Sequence, residues 1–187
     1  MTWYLFWKFL HVSFVVTWVG GGAVSQFYAL LALKDGSAER MAQFALDVKW
    51  IGDRILVGAA LGAVLSGLGL VWNSAFWTIG DDWIVIGLIL FAVTFLTGAL
   101  FFGPEAGRIA KEIDAEGPGS RSAQARIRRL LVLTRIDLVV LFVIIFDMVV
   151  KPSFDDTSTI VGALVVAAVL AAVLVLPALR RPATQTA

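Results

Sequence analysis

Five stretches of this sequence are each long and apolar enough to cross a lipid bilayer as a helix. A span needs about 20 apolar residues, because the hydrocarbon core is about 30 Å thick and a helix rises about 1.5 Å per residue. The chain is 59% hydrophobic and only 16% charged, whereas soluble domains carry about 25% charged residues. The five predicted spans are residues 3–28, 55–72, 83–103, 130–150 and 159–179.

These spans predict an all-α fold, a polytopic membrane helix bundle that forms one domain over residues 1–187. The first span begins at Trp3 with no basic segment before it, so we expect a retained helix rather than a cleaved signal peptide. Amphipathic spacing over residues 41–54 and a polar helical pattern over 105–116, ended by the Gly-Pro-Gly at 117–119, predict partly helical loops on one side of the membrane.

Lysine and arginine residues are concentrated on one side of the predicted spans. Twelve lie in the loops after the first and third spans and in the C-terminal tail, against two on the other side, Lys8 and Lys151. Because cytoplasmic loops are enriched in basic residues, we predict a multi-pass protein of the inner (plasma) membrane with its N-terminus outside and its C-terminus in the cytoplasm. The twelve residues are Lys34, Arg40, Lys49, Arg54, Arg108, Lys111, Arg121, Arg126, Arg128, Arg129, Arg180 and Arg181.

The composition excludes several classes of chemistry. The chain has no cysteine, which excludes disulfides, iron–sulfur clusters and thiolate zinc sites. A formal net charge of +1 gives no indication of nucleic-acid binding, so the expected partner is the lipid bilayer. No catalytic constellation is visible, and a non-enzymatic role is favoured.

Two rows of small residues run along the second span. Such rows let helix backbones approach closely in lipid. We predict tight packing within the chain, and the alternative is a homodimer face. The rows are Gly58, Gly62 and Ser66, and Ala59, Ala63 and Gly67.

Charged residues inside the spans form two layers. In the outer layer, Lys8 and Asp147 lie about 8 Å and about 6 Å below the surface, counted along their helices. We therefore predict that the first and fourth spans are neighbours and that Lys8 pairs with Asp147. The alternative is an Asp147–Lys151 pair within the fourth span.

The inner layer combines two charged residues of the fourth span with two at the start of the second. Arg135 is predicted to pair with Asp53 or Asp137, and Asp137 with Arg54 or Arg135. A proton or ion path through Asp137 is the alternative interpretation.

Two parts of the chain resemble known families of small bacterial membrane proteins. The segments WKFLHV at 7–12 and WVGG at 18–21 resemble the first helix of HemJ-type protoporphyrinogen oxidases, of copper-resistance-D membrane domains and of an uncharacterised family of predicted integral membrane proteins. The segment DMVVKP at 147–152 most resembles the uncharacterised family. The HemJ resemblance implies a haem ligand at His11, and the copper-resistance resemblance implies copper handling.

His11, the single histidine, is the centre of the predicted site. Imidazole is a common haem and metal ligand, and Lys8, Trp18 and Gly22 share its helix face. Met148 is a candidate second ligand. We therefore predict a ligand, haem b in preference to copper, in the outer half of the first and fourth spans. A hydrogen bond from His11 to a neighbouring helix is the alternative.

Two other functions are compatible with the sequence. One is an accessory or structural subunit of a larger membrane complex or homo-oligomer, and the other is a small transporter. Charge-free third and fifth spans suit the accessory role. A transporter typically has internal repeats or broken helices, and neither is evident in the sequence.

Overall fold

The computed structural model describes residues 2–179, with side chains as far as Leu176. Arg180 and Arg181, which contribute to the predicted orientation, lie outside this part of the chain. The described residues are almost entirely helical, as predicted, with no strand among them. The helices are α1 (Trp3–Asp35), α2 (Ala38–Ile51), α3 (Val57–Trp72), α4 (Asp82–Thr97), α5 (Gly103–Glu116), α6 (Arg121–Val150) and α7 (Thr157–Leu179), with two π-helical segments at Gly52–Leu56 and Gly98–Phe102.

The predicted helical loops are confirmed, and both are continuous with a membrane-length helix. The segment Gly52–Leu56 joins α2 to α3, and Gly98–Phe102 joins α4 to α5. Pro104 follows the second of these segments inside the continuous helix, where its missing backbone N–H removes one hydrogen bond of the helix. The helix then ends at Gly117, as the sequence predicts.

Four helices are long and apolar enough to cross a membrane. They are Trp3–Asp35, Ala38–Trp72, Asp82–Glu116 and Thr157–Leu176. The predicted fourth span lies within α6, whose length is sufficient at 30 residues. This predicted span contains three charged residues, Arg135, Asp137 and Asp147. Each of the four helices above instead has an apolar stretch of 18 residues with at most two charged residues.

Two short turns share one end of the bundle. Gly36 and Ser37 connect α1 to α2, with Gly36 in the left-handed region at φ 79°. The Gln124 side chain of α6 donates to the Ala38 carbonyl at 3.1 Å and to the Pro118 carbonyl at 2.8 Å. The turn at residues 117–120 therefore lies beside the turn at 36–37. We call this the basic end, because lysines and arginines surround it.

The opposite end brings together the loops at residues 73–81 and 151–156. The Phe154 N–H donates to Asp82 at the start of α4 over 2.9 Å. The Lys151 ammonium lies over the ring of Trp77 at 4.1 Å and over that of Trp83 at 5.0 Å. We call this the tryptophan end. The helix α6 runs from the basic end to the tryptophan end.

Close packing of α1 against α3 confirms the prediction for the small-residue rows. Phe14 of α1 lies against Gly62, and Trp7 lies against Gly69, so closely that a Cβ atom at either glycine would overlap the ring. Ala63 and its neighbours Ala59 and Ser66 are buried. Small residues on α3 thus make room for aromatic rings of α1.

The buried residues form two cores along the bundle. The core near the basic end comes from α1, α2, α5 and α6 and includes Phe44, Ile109 and Ile127. The second core joins Val19 of α1 to Leu141 of α6, which confirms that the first and fourth predicted spans are neighbours.

Candidate ligand cavity

A cavity of about 260 Å³ lies between the two cores. It contacts Phe44 and Ile127 on the side of the basic end, and Trp18 and Leu141 on the other. Residues from α1, α6 and both continuous long helices line it, and most of the lining side chains are apolar. The cavity thus lies among four helices of the bundle, and it is partly open to the surroundings, because exposed residues such as Asp53 and Val57 belong to its lining.

Both π-helical segments line this cavity. The first segment contributes Gly52, Asp53 and Leu56, and the second contributes Gly98 and its neighbours Ala99 and Phe102. A π-helical turn widens a helix locally, and such turns occur frequently at functional sites. The two irregular segments lie at the same level of the bundle, which makes the cavity the leading candidate site.

Few polar side chains reach the cavity. Gln26 of α1 donates through its Nε2 to the Thr134 hydroxyl of α6 at 3.0 Å. The Gln26 Oε1 atom is buried without a hydrogen-bond partner. Asp137 lies three residues further along α6 and also lines the cavity. Among the described residues, no ion pair involves Asp137.

The predicted inner ion pairs are not among those formed by the described residues. Asp53 pairs with Lys49 one turn earlier in the same continuous helix, and Arg54 is exposed. Arg135 donates to the Leu174 carbonyl of α7 at 2.9 Å. The prediction used depth alone, and depth does not give the direction in which each side chain leaves its helix. As a result, Asp137 faces the cavity instead of a neighbouring cation.

The residues predicted to surround His11 face different helices. The Nδ1–H of His11 donates to the Ala63 carbonyl of α3 at 2.8 Å. Trp18 packs edge-on against Phe91 of α4, with ring centroids 5.5 Å apart. A Cβ atom at Gly22 would point at Leu138 and Leu141 of α6 instead. The predicted alternative, a hydrogen bond from His11 to a neighbouring helix, is confirmed.

The remaining members of the predicted outer site are also separated. Lys8 is exposed, and Met148 packs against Gly87 of α4. Among the described residues, no group of three histidine, cysteine or carboxylate side chains is placed to hold a metal ion. Within residues 2–179, the predicted ligand contacts do not come together around His11.

The predicted Lys8–Asp147 pair is not formed. Asp147 is 2% exposed, and neither carboxylate oxygen has a hydrogen-bond partner. The alternative pair with Lys151 is absent as well. Lys151 ends α6 in the left-handed conformation, with φ 54°, and its ammonium lies over the tryptophan rings.

Most of the chain matches a known protein family. The family described as "Predicted integral membrane protein (DUF2269)" matches residues 5–152. The chain belongs to this family. The match extends over four of the five predicted spans and confirms the resemblance to an uncharacterised membrane family. The resemblance to HemJ-type and copper-resistance-D proteins stays a prediction. No curated protein and no solved structure matches the chain.

Family membership and the apolar helices agree on the class of protein. This chain is a multi-pass integral membrane protein embedded in the lipid bilayer. Sequence reasoning identified Asp137 as a candidate but missed the cavity that it lines. The two π-helical segments begin at Gly52 and Gly98, but glycine is too frequent in this chain, at 17 residues, to indicate them.

Proposed function

We propose that this protein binds a small molecule in the cavity between its two cores. The single observation that carries the proposal is the cavity of about 260 Å³ at the level of both π-helical segments. Ligand pockets are typically concave and mostly apolar, with a few polar groups that orient the ligand. Gln26 and Asp137 are such groups here.

The proposal includes a fifth span, α6, with the N-terminus outside and the basic end in the cytoplasm. Two observations support the fifth span. The helix α6 connects the two ends of the bundle. Its charged side chains also turn inward: Asp147 is buried, Asp137 lines the cavity, and Arg135 bonds to a carbonyl of α7. The asymmetry of basic residues supports the orientation.

The cavity then lies near the cytoplasmic boundary of the hydrocarbon core. Counted from Trp72 at the tryptophan end, Gly52–Leu56 is about 24–30 Å along its helix. Counted from Asp82, Gly98–Phe102 is the same distance of about 24–30 Å along its own. Because the hydrocarbon core is about 30 Å thick, a ligand in this position would contact both apolar and polar surroundings.

A pair of matched glycine variants tests the proposal. Gly98 and Gly58 are both helical, and a Cβ atom at either would meet no atom within 4 Å. Gly98 lines the cavity, whereas Gly58 is exposed on α3. The variant Gly98→Leu fills the cavity, and Gly58→Leu adds the same side chain on the outside.

Each protein is purified from its membrane, and its organic extract is analysed by mass spectrometry. We expect a compound in stoichiometric amount with the wild type and with Gly58→Leu, and its loss from Gly98→Leu. Equal amounts of every compound in all three extracts would contradict a ligand in the cavity.

A second candidate function keeps the predicted haem or metal ion, with His11 as its only ligand from this chain. One observation favours it. Because a carbonyl accepts but does not donate, the bond to Ala63 assigns the proton of a neutral imidazole to Nδ1 and leaves the Nε2 lone pair free. Backbone hydrogen bonds of this kind orient metal-binding histidines. An absorption spectrum and metal analysis test it: a Soret band or stoichiometric metal, lost in both His11→Ala and His11→Gln, is expected.

A further inference from the structure

The hydroxyl groups that line the cavity all donate their hydrogen to their own helix. Ser25 donates to the Gly21 carbonyl at 2.9 Å, and Thr94 donates to a carbonyl of α4 at 3.1 Å. Thr134 donates to the Leu131 carbonyl at 3.1 Å. A hydroxyl that has used its hydrogen retains only acceptor lone pairs. These three groups therefore offer a ligand acceptors and no donors.

The amide and carboxyl groups add to this set of acceptors. Gln26 uses one N–H on Thr134, while its Oε1 atom is buried without a donor. Asp137 follows Thr134 at three residues along α6, so the two side chains share one face of that helix. No hydrogen bond is formed by Asp137 within residues 2–179. The Asp137 carboxylate is the acceptor of this group that a ligand can reach, because Gln26 Oε1 is fully buried and the second N–H of Gln26 is itself a donor.

The cations near the cavity do not balance Asp137. Lys49 lines the cavity but is paired with Asp53. The guanidinium of Arg135, which is not part of the lining, bonds to α7. Asp137 is then the one carboxylate of the lining without a cationic partner among the described residues. A positively charged donor would satisfy both its charge and the acceptors around it.

The rest of the lining restricts the ligand further. Side chains such as Trp18, Leu56, Phe95 and Phe102 surround most of the cavity. A bare inorganic cation would leave this apolar surface in contact with water, whereas an organic cation would cover it. The ligand that matches both parts has an apolar body and one protonated amine.

We infer that the cavity binds an amphiphilic ammonium compound, whose amine donates to Asp137 and whose apolar body fills the remainder. This inference rests on the proposed ligand-binding function and specifies the chemical class of the ligand. A free amine and the ammonium of a lipid headgroup share this chemistry.

Two probes of the same shape test the inference on the full-length protein in detergent. One is 4-phenylbutylamine, which is charged at neutral pH, and the other is 4-phenylbutanol, which is not. Binding is measured by isothermal titration calorimetry. We expect the wild type to bind the amine at least about tenfold more tightly, the effect of one charge-assisted hydrogen bond.

Matched variants on α6 locate the effect. Asp137→Asn should remove the preference for the amine. Asp147→Asn changes a second carboxylate of α6 that does not line the cavity, and it should leave the preference unchanged. Elution of each variant as a monodisperse peak in size-exclusion chromatography establishes that it is folded.

The outcomes separate this inference from the proposed function. Equal affinity for the two probes, or a preference that survives in Asp137→Asn, would overturn the inference while leaving a ligand cavity. Displacement of the amine by sodium but not by choline would also overturn it, by assigning the site to an inorganic cation. Binding of neither probe would also overturn the inference, and the extract of Gly98→Leu would then decide whether the cavity binds a ligand of another class. Competition by phosphatidylethanolamine but not by phosphatidylglycerol would support the inference and identify a lipid headgroup as the source of the ammonium group. If neither lipid competes with a bound amine probe, the result would support a free amine as the ligand.

Discussion

Asp147 is a carboxyl group that the fold buries without giving it a partner. It lies close to Gly87 of α4, where the absence of a side chain makes room for it. Burying a carboxyl group without a hydrogen-bond or ion-pair partner is unfavourable. An isolated buried carboxyl therefore does not contribute to the stability of the bundle.

We predict that Asp147→Asn is at least as stable as the wild type, since an amide of the same shape is less costly to bury than an unpaired carboxyl. The measurement is thermal unfolding in detergent. Lys8→Met serves as the control. Lys8 is exposed and forms no ion pair with Asp147. The changes in stability caused by the two substitutions should therefore add within about 0.5 kcal/mol. A coupling energy between the two substitutions well above that value would show that Lys8 and Asp147 do form a pair.

The positions of single polar residues were only partly predictable. Hydropathy and helix rise gave the depth of Lys8, Asp137 and Asp147 along their helices. They did not give the rotation of each helix about its axis, which depends on packing between helices. Packing of α1 against α3 directs His11 to Ala63, and that contact depends on residues far apart in the sequence.

The interface between α1 and α3 gives a prediction at the scale of the element. Gly62→Ala would place a Cβ atom 2.6 Å from the ring of Phe14. We expect a loss of about 1–3 kcal/mol of stability, the usual cost of overpacking. Thermal unfolding in detergent measures it.

Gly58→Ala is the matched control, because Gly58 lies one turn away in the same row and has open space around it. There we expect a gain of about 0.5–1 kcal/mol from the higher helix propensity of alanine. Equal losses in the two variants would indicate that α1 does not pack on this row.

The start of α7 gives a prediction for pH. Hydrogen bonds from the side chain and backbone N–H of Thr159, with a further one from Ser158, lower the pKa of Asp156. A lowered folded-state pKa stabilises the fold above the unfolded pKa, and this contribution is lost as the pH falls through the folded value. The melting-temperature difference between wild type and Asp156→Ala should therefore be constant above about pH 5 and begin to decrease below about pH 4, as the pH falls toward the lowered folded pKa.

Asp156→Asn provides the control, because asparagine caps a helix without titrating. The difference in melting temperature between Asp156→Asn and Asp156→Ala should not change over the same pH range. A wild-type difference that persists at low pH would show that the carboxylate does not stabilise α7.

Whole elements were more predictable than single contacts. The periodicity of residues 41–54 and the polar pattern of residues 105–116 correctly indicated helices. The segments Gly52–Leu56 and Gly98–Phe102 were not predicted, because a π-helical turn keeps ordinary helical residues and differs only in its hydrogen-bond register. The cavity, which depends on both segments, could not be predicted for the same reason.

At the scale of the whole molecule, the orientation is testable because the chain has no cysteine. Ser153 and Glu39 are exposed in the loop at the tryptophan end and near the basic end. We predict that a membrane-impermeant maleimide added to intact cells labels Ser153→Cys but not Glu39→Cys. Permeabilised cells should allow both variants to react. Labelling of Glu39→Cys in intact cells would refute the proposed orientation.

The continuity of the two long helices also makes the molecule suitable for imaging. The helices α2 and α5 each have 14 residues, so they extend about 21 Å beyond the π-helical segments. They share a core with α1 and α6, which makes this part a rigid bundle instead of a set of loose loops. A small membrane protein usually lacks features by which particles can be aligned in electron microscopy. Here the turn at residues 117–120 offers a place to fuse a rigid fiducial domain, whose orientation would report that of the bundle within the membrane.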